Sequence, residues 1–445
     1  MVGRSGRSKG CASCRKRHLK CDEARPTCER CRRDRFSCDG YTAISFVNEY
    51  NRLDKPNSTK VLAARQTPTF PPVSYNLQPV RSEQCLNFLR YLFSPTQSEP
   101  YTGDWPGFHA AKDYSTLSYQ CLDSLAKSYF GRAQASREVL QDGLLVYVRS
   151  LKALNQRLAD RVQMVEDDTL GSIFILSVYE MLVLSTSKGW VSHILGLASI
   201  MQIRGPQDFQ TGFQRLVLDN ARILIILASL AVSKGTFLAQ SEWKIIPWMQ
   251  SRPMDPMQGL IEIMTNLPGL KEMQHERNDP LECYSLAKQV LSELLTWRKW
   301  WNSTPMSETL IVHSSEQDPF WSEVFETSLY YHSIHAANCT CLYDGAVIQT
   351  VEILTATSIT SSAFDFDDLL RDAAMEICHS LSYLLSQRNF ARGHFMALFP
   401  MRMAWKALGG GATSQGRWIE QVLQKVEVHK QSWGITSQTI TYPSY

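Results

Sequence analysis

A mainly α chain is predicted, in three parts: a small cysteine-clamped module at the N-terminus, a flexible linker and a large all-α body. Three observations predict it. Six of the twelve cysteines lie within residues 11–38. Pro56, Pro68, Pro71, Pro72 and Pro79 interrupt any regular element across 41–80. Apolar residues then recur at helical spacing from about 81 to 433. The expected boundaries are a flexible basic arm at 1–10, the module at 11–40, the linker at 41–80, the body at 81–433 and a C-terminal tail at 434–445.

The module is the most informative part. "CASCRKRHLKCDEARPTCERCRRDRFSC" reads C-x2-C-x6-C-x6-C-x2-C-x6-C through Cys11, Cys14, Cys21, Cys28, Cys31 and Cys38, and its second half repeats its first at an offset of seventeen residues. A C-x2-C pair at the start of a short helix brings two thiolates to one ion, and a third cysteine six residues on returns to it. Each half is a three-thiolate claw. Two tetrahedral zinc ions require eight sulfur contacts, and six cysteines supply six if each binds once, so a closed site for two ions needs two bridging thiolates. By pseudo-symmetry these are Cys11 and Cys28.

Disulfides and redox chemistry fit less well. The opening MVGRSGRSKG has no apolar segment or cleavage site of a secretory signal, so a reducing compartment is expected. No βαβ pattern surrounds either C-x2-C pair, as thioredoxin-like chemistry would require. Zinc suits an all-thiolate tetrahedral site better than other thiophilic ions.

Charge adds a partner. Residues 1–40 carry twelve Lys or Arg against five Asp or Glu, a balance of +7, and the remaining 405 residues carry 34 against 38, a balance of −4. Six thiolates and two Zn2+ sum to −2, which favours a basic shell, and Arg15, Lys16, Arg17, Lys20, Arg30, Arg32 and Arg33 provide one. The excess beyond that is the electrostatic footprint of a nucleic-acid binder, because Lys and Arg gain by displacing counterions from phosphate.

In the linker, Phe46, Tyr50 and Leu53 have helical spacing but cover fewer than two heptads, too few for a coiled coil. In the body, "SEQCLNFLRYLF" places Ser82 as a candidate N-cap and Cys85, Phe88, Leu89 and Leu92 on one face. Further helices are read in "DDTLGSIFILSVYEMLVL", "LVLDNARILIILASLAV", "PLECYSLAKQVLSELLTWRKWW", "VFETSLYYHSIHAANCTCLY" and "LLRDAAMEICHSLSYLLSQ". The most apolar run, "ILIILASLAV", is too short to span a membrane and reads as a buried helix. In "KGWVSHILGLASIMQIRGP" one stripe carries Trp190, His193, Leu197 and Met201, with Gly205 and Pro206 ending the helix and His193 read as a packing residue.

The cysteine pattern with "CRKRHLKCD" and Pro26 before Cys28 closely resembles the binuclear zinc cluster of fungal Zn(II)2Cys6 transcription factors. The later W-x2-H-x2-G followed by R-G-P resembles the helical fungal-specific transcription factor domain. The resemblance implies that Cys11, Cys14, Cys21 and Cys28 hold one Zn2+ and that Cys28, Cys31, Cys38 and Cys11 hold the other. It also implies that the first short helix enters the major groove of double-stranded DNA and that CGG-type triplets are read from its end. The matching positions are Arg17 and His18, with Arg15, Lys16 and Lys20 nearby. Guanine offers O6 and N7 acceptors there. Lys20, beside a metal ligand, is better placed for phosphate, and His18 stands where the family often has Lys, with one neutral donor in place of a permanent charge.

Other patterns carry less. "YYHSIHAANCTC" brings His332, His335, Cys339 and Cys341 together in sequence but reads equally as a packing helix. "GRSGRSKG" lacks a phosphate loop's second glycine and its preceding strand. "SSAFDFDDLLRDA" fits an activation segment or the acidic start of a helix. No H-E-x-x-H, G-x-S-x-G or G-x-G-x-x-G occurs, so no enzyme is expected. The sequence therefore predicts a nuclear regulator of transcription by RNA polymerase II, against the alternative of an interaction or effector-sensing protein whose cluster binds DNA without reading it. A homodimer and a small-molecule effector or coregulators are further candidate partners, among which the residues do not choose.

Overall fold

The computed structural model describes residues 11–38 without 18, 23, 25 and 26, then 78–93, then 113–429 without 114, 184–188, 251–254, 278, 314–318, 323, 359–365 and 387–389. The basic arm, residues 41–77 of the linker with the Phe46, Tyr50 and Leu53 stripe, and the tail 434–445 lie outside them. Two compact units are present, residues 1–47 and 48–445.

In the first unit, two five-residue helices, α1 (Ala12–Lys16) and α2 (Glu29–Arg33), start one residue after Cys11 and Cys28. A five-residue helix is too short to persist alone, so what surrounds these two must hold them.

The second unit opens with α3 (Gln78–Phe93), five residues earlier than Ser82 as N-cap predicts, so Ser82 lies inside the helix. Pro79 falls in the first turn, where its missing N–H costs nothing. Cys85, Leu86 and Leu89 are buried, and Phe88 packs edge-on against Phe130. Then come α4 (Leu117–Ala133), α5 (Arg137–Ala159), α6 (Asp167–Leu182), α7 (Gly189–Arg204) and α8 (Gly212–Ala231). Every residue of α6 after its two leading aspartates is buried, between α4 and α7. The helix that contains "ILIILASLAV" buries Leu224, Ile225 and Ile226, and no helix among the described residues is long and apolar enough to cross a membrane. Gly205 ends α7 with φ of +81°, open to glycine alone without strain, and Pro206 follows.

Short helices α9 (Ser241–Ile245), α10 (Pro256–Met264) and α11 (Leu267–Glu276) lead to α12 (Pro280–Asn302). The Asp279 carboxylate accepts from the Glu282 N–H at 3.0 Å and starts α12 with Pro280 at its first position. Next is a departure from the all-helical reading of the body. Strand β1 (Thr309–His313) pairs antiparallel with β2 (Thr327–Tyr331), in register Thr309 to Tyr331, with α13 (Pro319–Ser322) between them. "TSLYY" was absorbed into a helical pattern because three of its residues are apolar or aromatic. Its β propensity prevails because Tyr331 turns inward, where its hydroxyl meets Ser380 Oγ at 2.6 Å.

Helix α14 (Ile334–Thr357) is the centre of the unit, with 19 of its 24 residues buried, against α12, α15 (Asp367–Leu384) and α16 (Phe390–Ala407). Ser333 caps it by accepting from the Ala336 N–H at 3.1 Å. Asp367 and Asp368 form the first turn of α15, as the helix-start reading of "FDFDDLL" requires. Helix α17 (Ser414–His429) is the last described element, with Trp418 packed on Phe325. Buried Arg222 pairs with half-buried Glu262 and joins α8 to α10, and Arg298 of α12 meets Glu376 of α15 at 2.7 Å. Asp344 of α14 lies beside that pair, and burial first, then Glu376, pushes its carboxyl well up.

Two tests follow from the packing. Helices α4 and α5 approach closely at two glycines: a Cβ on Gly131 would lie 2.5 Å from the Leu140 backbone N, and one on Gly143 would lie 2.6 Å from that of Ser128. Gly143→Ala is expected to lower stability by about 1–3 kcal/mol, measured by chemical denaturation. His193, 4% exposed, has its pKa lowered to about 3 by burial. It stays neutral in the folded body while the unfolded chain gains a proton below about pH 6.5, so acid favours unfolding. Denaturation monitored by tryptophan fluorescence should show about 2 kcal/mol of stability lost from this site between pH 6.5 and 5, a loss that His193→Gln abolishes.

Candidate metal centre and nucleic-acid interface

The two claws are built alike. Cys28 occupies the N-cap position of α2, and its Sγ accepts from the Cys31 N–H at 3.3 Å. Cys11 does the same for α1, accepting from the Cys14 N–H at 3.4 Å. A C-x2-C step therefore sets one sulfur at the mouth of a helix and the next one turn inside it. The third cysteine of the first claw returns, since Cys21 Sγ accepts from the Cys11 N–H at 3.4 Å. Cys11, Cys14, Cys28 and Cys31 are fully covered, whereas Cys21 and Cys38 are half-buried.

All six are free thiols. Cys11 Sγ lies 3.7 Å from Cys28 Sγ and 3.8 Å from Cys31 Sγ, and Cys14 Sγ lies 3.7 and 3.8 Å from the same two. A disulfide needs about 2.05 Å. A tetrahedron of sulfurs around a zinc ion with bonds of about 2.3 Å has edges of about 3.8 Å. The sulfurs fall into two groups of four, Cys11, Cys14, Cys21, Cys28 and Cys11, Cys28, Cys31, Cys38, with all members of a group within 4.8 Å of one another. Cys11 and Cys28 belong to both. The donor set fits zinc: each group offers four soft sulfurs at the spacing of a tetrahedral site. The close Cys14–Cys31 approach joins the two groups, and the division into two sites does not itself explain it.

Burial pushes the Cys11, Cys14, Cys28 and Cys31 thiols up, and for Cys14 the neighbouring sulfurs add to the effect. Gathered sulfurs without a countercharge stay protonated; a divalent cation among them reverses that.

The surrounding charges are not evenly disposed. In the second half Arg30 and Arg33 pair with Asp34 and Arg32 pairs with Glu29. In the first half Lys16 and Lys20 are exposed and pair with no acid among the described residues. Arg17, expected to reach toward base edges, is turned inward: its Nη2 donates to Cys31 Sγ at 3.5 Å, its Nε donates to the Ser13 carbonyl at 3.3 Å, and its guanidinium carbon lies 4.0 Å from the centre of the Phe36 ring. His18 and the side chain of Arg15 lie outside the described residues.

Two supporting residues escaped the sequence reading. The Asp22 carboxylate accepts from the Glu29 N–H at 3.0 Å and the Arg30 N–H at 3.3 Å, and the Glu29 bond is the first cause of its lowered pKa. The buried Ser13 hydroxyl donates to the Ser37 carbonyl at 2.9 Å and ties α1 to the end of the second claw. A carboxylate directly after the third cysteine was the available signal for the first. The second had none.

The cluster in "YYHSIHAANCTC" does not gather. His335 Nε2 is 3.7 Å from Cys339 Sγ and 3.2 Å from Asp255 Oδ1, but His332 is exposed. Among the described residues the two cysteine groups are the only sets of three or more metal-ligating side chains.

Comparison with known proteins gives this arrangement a class. Residues 9–45 match the fungal Zn(2)-Cys(6) binuclear cluster domain, and residues 73–399 match the fungal specific transcription factor domain. The second match spans more than half of the chain, so the chain belongs to the family of proteins with a fungal specific transcription factor domain, a class of transcription regulators, not enzymes. Among relatives, uncharacterized protein AN5342 of Emericella nidulans is 27% identical over 28% of each chain. White-opaque regulator 2 of Candida albicans is 43% identical over 12% of this chain and 13% of its own. The aspercryptin biosynthesis cluster-specific transcription regulator atnN of Emericella nidulans is 54% identical over 9% of this chain and 7% of its own. The matched segments thus span less than a third of these relatives. No solved structure matches significantly.

Proposed function

We propose that this chain is a zinc-dependent, sequence-specific DNA-binding regulator of RNA polymerase II transcription that acts in the nucleus. Residues 11–40 hold two Zn2+ and bind double-stranded DNA, 41–80 tether them, and 81–433 form the regulatory body. Cys11 and Cys28 bridge the two ions; Cys14 and Cys21 complete one site, Cys31 and Cys38 the other. The ions supply the positive charge that keeps the thiolates together and so replace a hydrophobic core. The DNA-facing edge comprises Arg15, Lys16, His18 and Lys20, with CGG-type triplets read in the major groove; Arg17, expected on that edge, faces Cys31 instead.

The observation that carries this reading is the pair of four-sulfur groups sharing two cysteines, flanked at and after the first helix by Lys16 and Lys20, which pair with no acid among the described residues. In the second half Arg30, Arg32 and Arg33 each have an acidic partner, whereas Lys16 and Lys20 have none among the described residues. A homodimer would read two such triplets at a separation set by its geometry.

Cobalt titration of the full chain should saturate at two equivalents. Cys11→Ser should abolish both sites, whereas Cys14→Ser should spare one; equal effects would refute the bridging assignment. Selection from random duplexes should enrich a CGG-type triplet, and salt-sensitive binding without preference would overturn sequence reading. Lys16→Ala and Lys20→Ala are each expected to weaken binding to all sequences alike and to reduce the salt slope by about 1.

A further inference from the structure

We infer that Arg17 is a positioning residue that clamps the first helix to the second half of the cysteine cluster through Cys31, and that base reading falls to its neighbours. The inference rests on the proposed metal centre and concerns what holds that centre in shape.

Three contacts use three different parts of one guanidinium. Nη2 donates to the sulfur of Cys31, a residue fully covered from solvent; Nε donates to the Ser13 carbonyl; and the flat face rests on Phe36. The planar fork of arginine allows all three at once, which a lysine ammonium cannot do. Phe36 itself is 56% exposed, two residues before a cysteine of the cluster, in a module with little apolar surface to pack. Its backbone N–H donates to the Cys31 carbonyl at 2.9 Å, so the ring is anchored to the turn that carries the Cys31 sulfur. A cation over that ring explains an aromatic residue otherwise left in water.

Arg17 belongs to the chain just after α1, and Cys31 and Phe36 belong to the second claw. The contact therefore crosses the pseudo-symmetry axis, in parallel with the Ser13–Ser37 bond. Six thiolates with two Zn2+ retain a charge of −2, and a guanidinium against one of the non-bridging sulfurs neutralises half of it where water is excluded. Hydrogen bonds from such outer groups hold a ligand in place and typically change metal affinity by about 10–100-fold. A guanidinium held at 3.5 Å from Cys31 Sγ is not simultaneously available to guanine.

The test uses the full chain loaded with Co2+, comparing wild type with Arg17→Ala, Arg17→Lys and Phe36→Leu. Arg17→Ala is expected to speed the chelator-driven loss of one of the two metals about tenfold or more and to move the sulfur-to-cobalt charge-transfer band to longer wavelength. Arg17→Lys should recover little of either change, and Phe36→Leu should speed release while every charge is kept. The preferred triplet should be the same in all four proteins. Unchanged release and spectrum with a blurred triplet would overturn the inference and make Arg17 a base reader. A wild-type chain that binds no cobalt would instead bring down the metal centre on which the inference rests.

Discussion

Six sulfurs drawn to within a few ångströms of one another are the constraint on which the N-terminal unit depends. Fewer than thirty residues separate Cys11 from Cys38, and the two helices between them are five residues long. Neither their length nor their apolar content would hold them. What organises them is a set of sulfur positions with edges of 3.7 and 3.8 Å, the spacing a tetrahedral thiolate site imposes, with helix mouths that direct N–H groups at Cys11 and Cys28. Those two cysteines are the only members common to both groups. Each therefore does what a buried core residue does in a larger domain.

Charge then follows from the sulfurs. Gathered sulfurs that hold a metal as thiolates attract cations, but the cations are not equivalent. Asp34 and Glu29 pair with the three arginines of α2, Arg17 turns in against Cys31, and Lys16 and Lys20 remain outside. A compact, nearly symmetric scaffold thus leaves Lys16 and Lys20 without an acidic partner among the described residues, as contact with a polyanion such as the DNA backbone requires. The body is organised by different means: helices α6 and α14 are apolar around most of their circumference, and paired charges at Arg222–Glu262 and Arg298–Glu376 fix how neighbouring helices meet. Asp344 lies beside the second pair, and its burial pushes its carboxyl well up, against adding a further charge there.

Most of the cysteine centre was legible beforehand, because metal claws are local. Cys11 and Cys14, or Cys28 and Cys31, are one helical turn apart, and the seventeen-residue repeat singles out the shared pair. Its supports were not legible in the same way. Arg17 was read as an outward-facing side chain at a helix end; its partners Cys31 and Phe36 lie fourteen and nineteen residues on, across a pseudo-axis that no periodicity reveals. The body shows the same division. Helix periodicity located α6, α8, α12 and α15, whereas Ser82, a sound N-cap by local rules, lies inside α3 because the chain enters its helix at Gln78. The strand at 327–331 was missed since its pattern of Leu and Tyr serves a helix face as well as a sheet; pairing with 309–313 is what decides it.

Taken alone, then, the order of residues determined the helical class, the six-cysteine centre and the positive balance of the first forty residues, because each depends on composition or on neighbours a turn or two away. Only the tertiary structure decided which cations stay exposed and which are spent on the cluster, and where the body inserts its two strands. Those outcomes depend on groups that meet across the chain, and proximity in space is set by packing and by the closure of the sulfur cage rather than by any local preference.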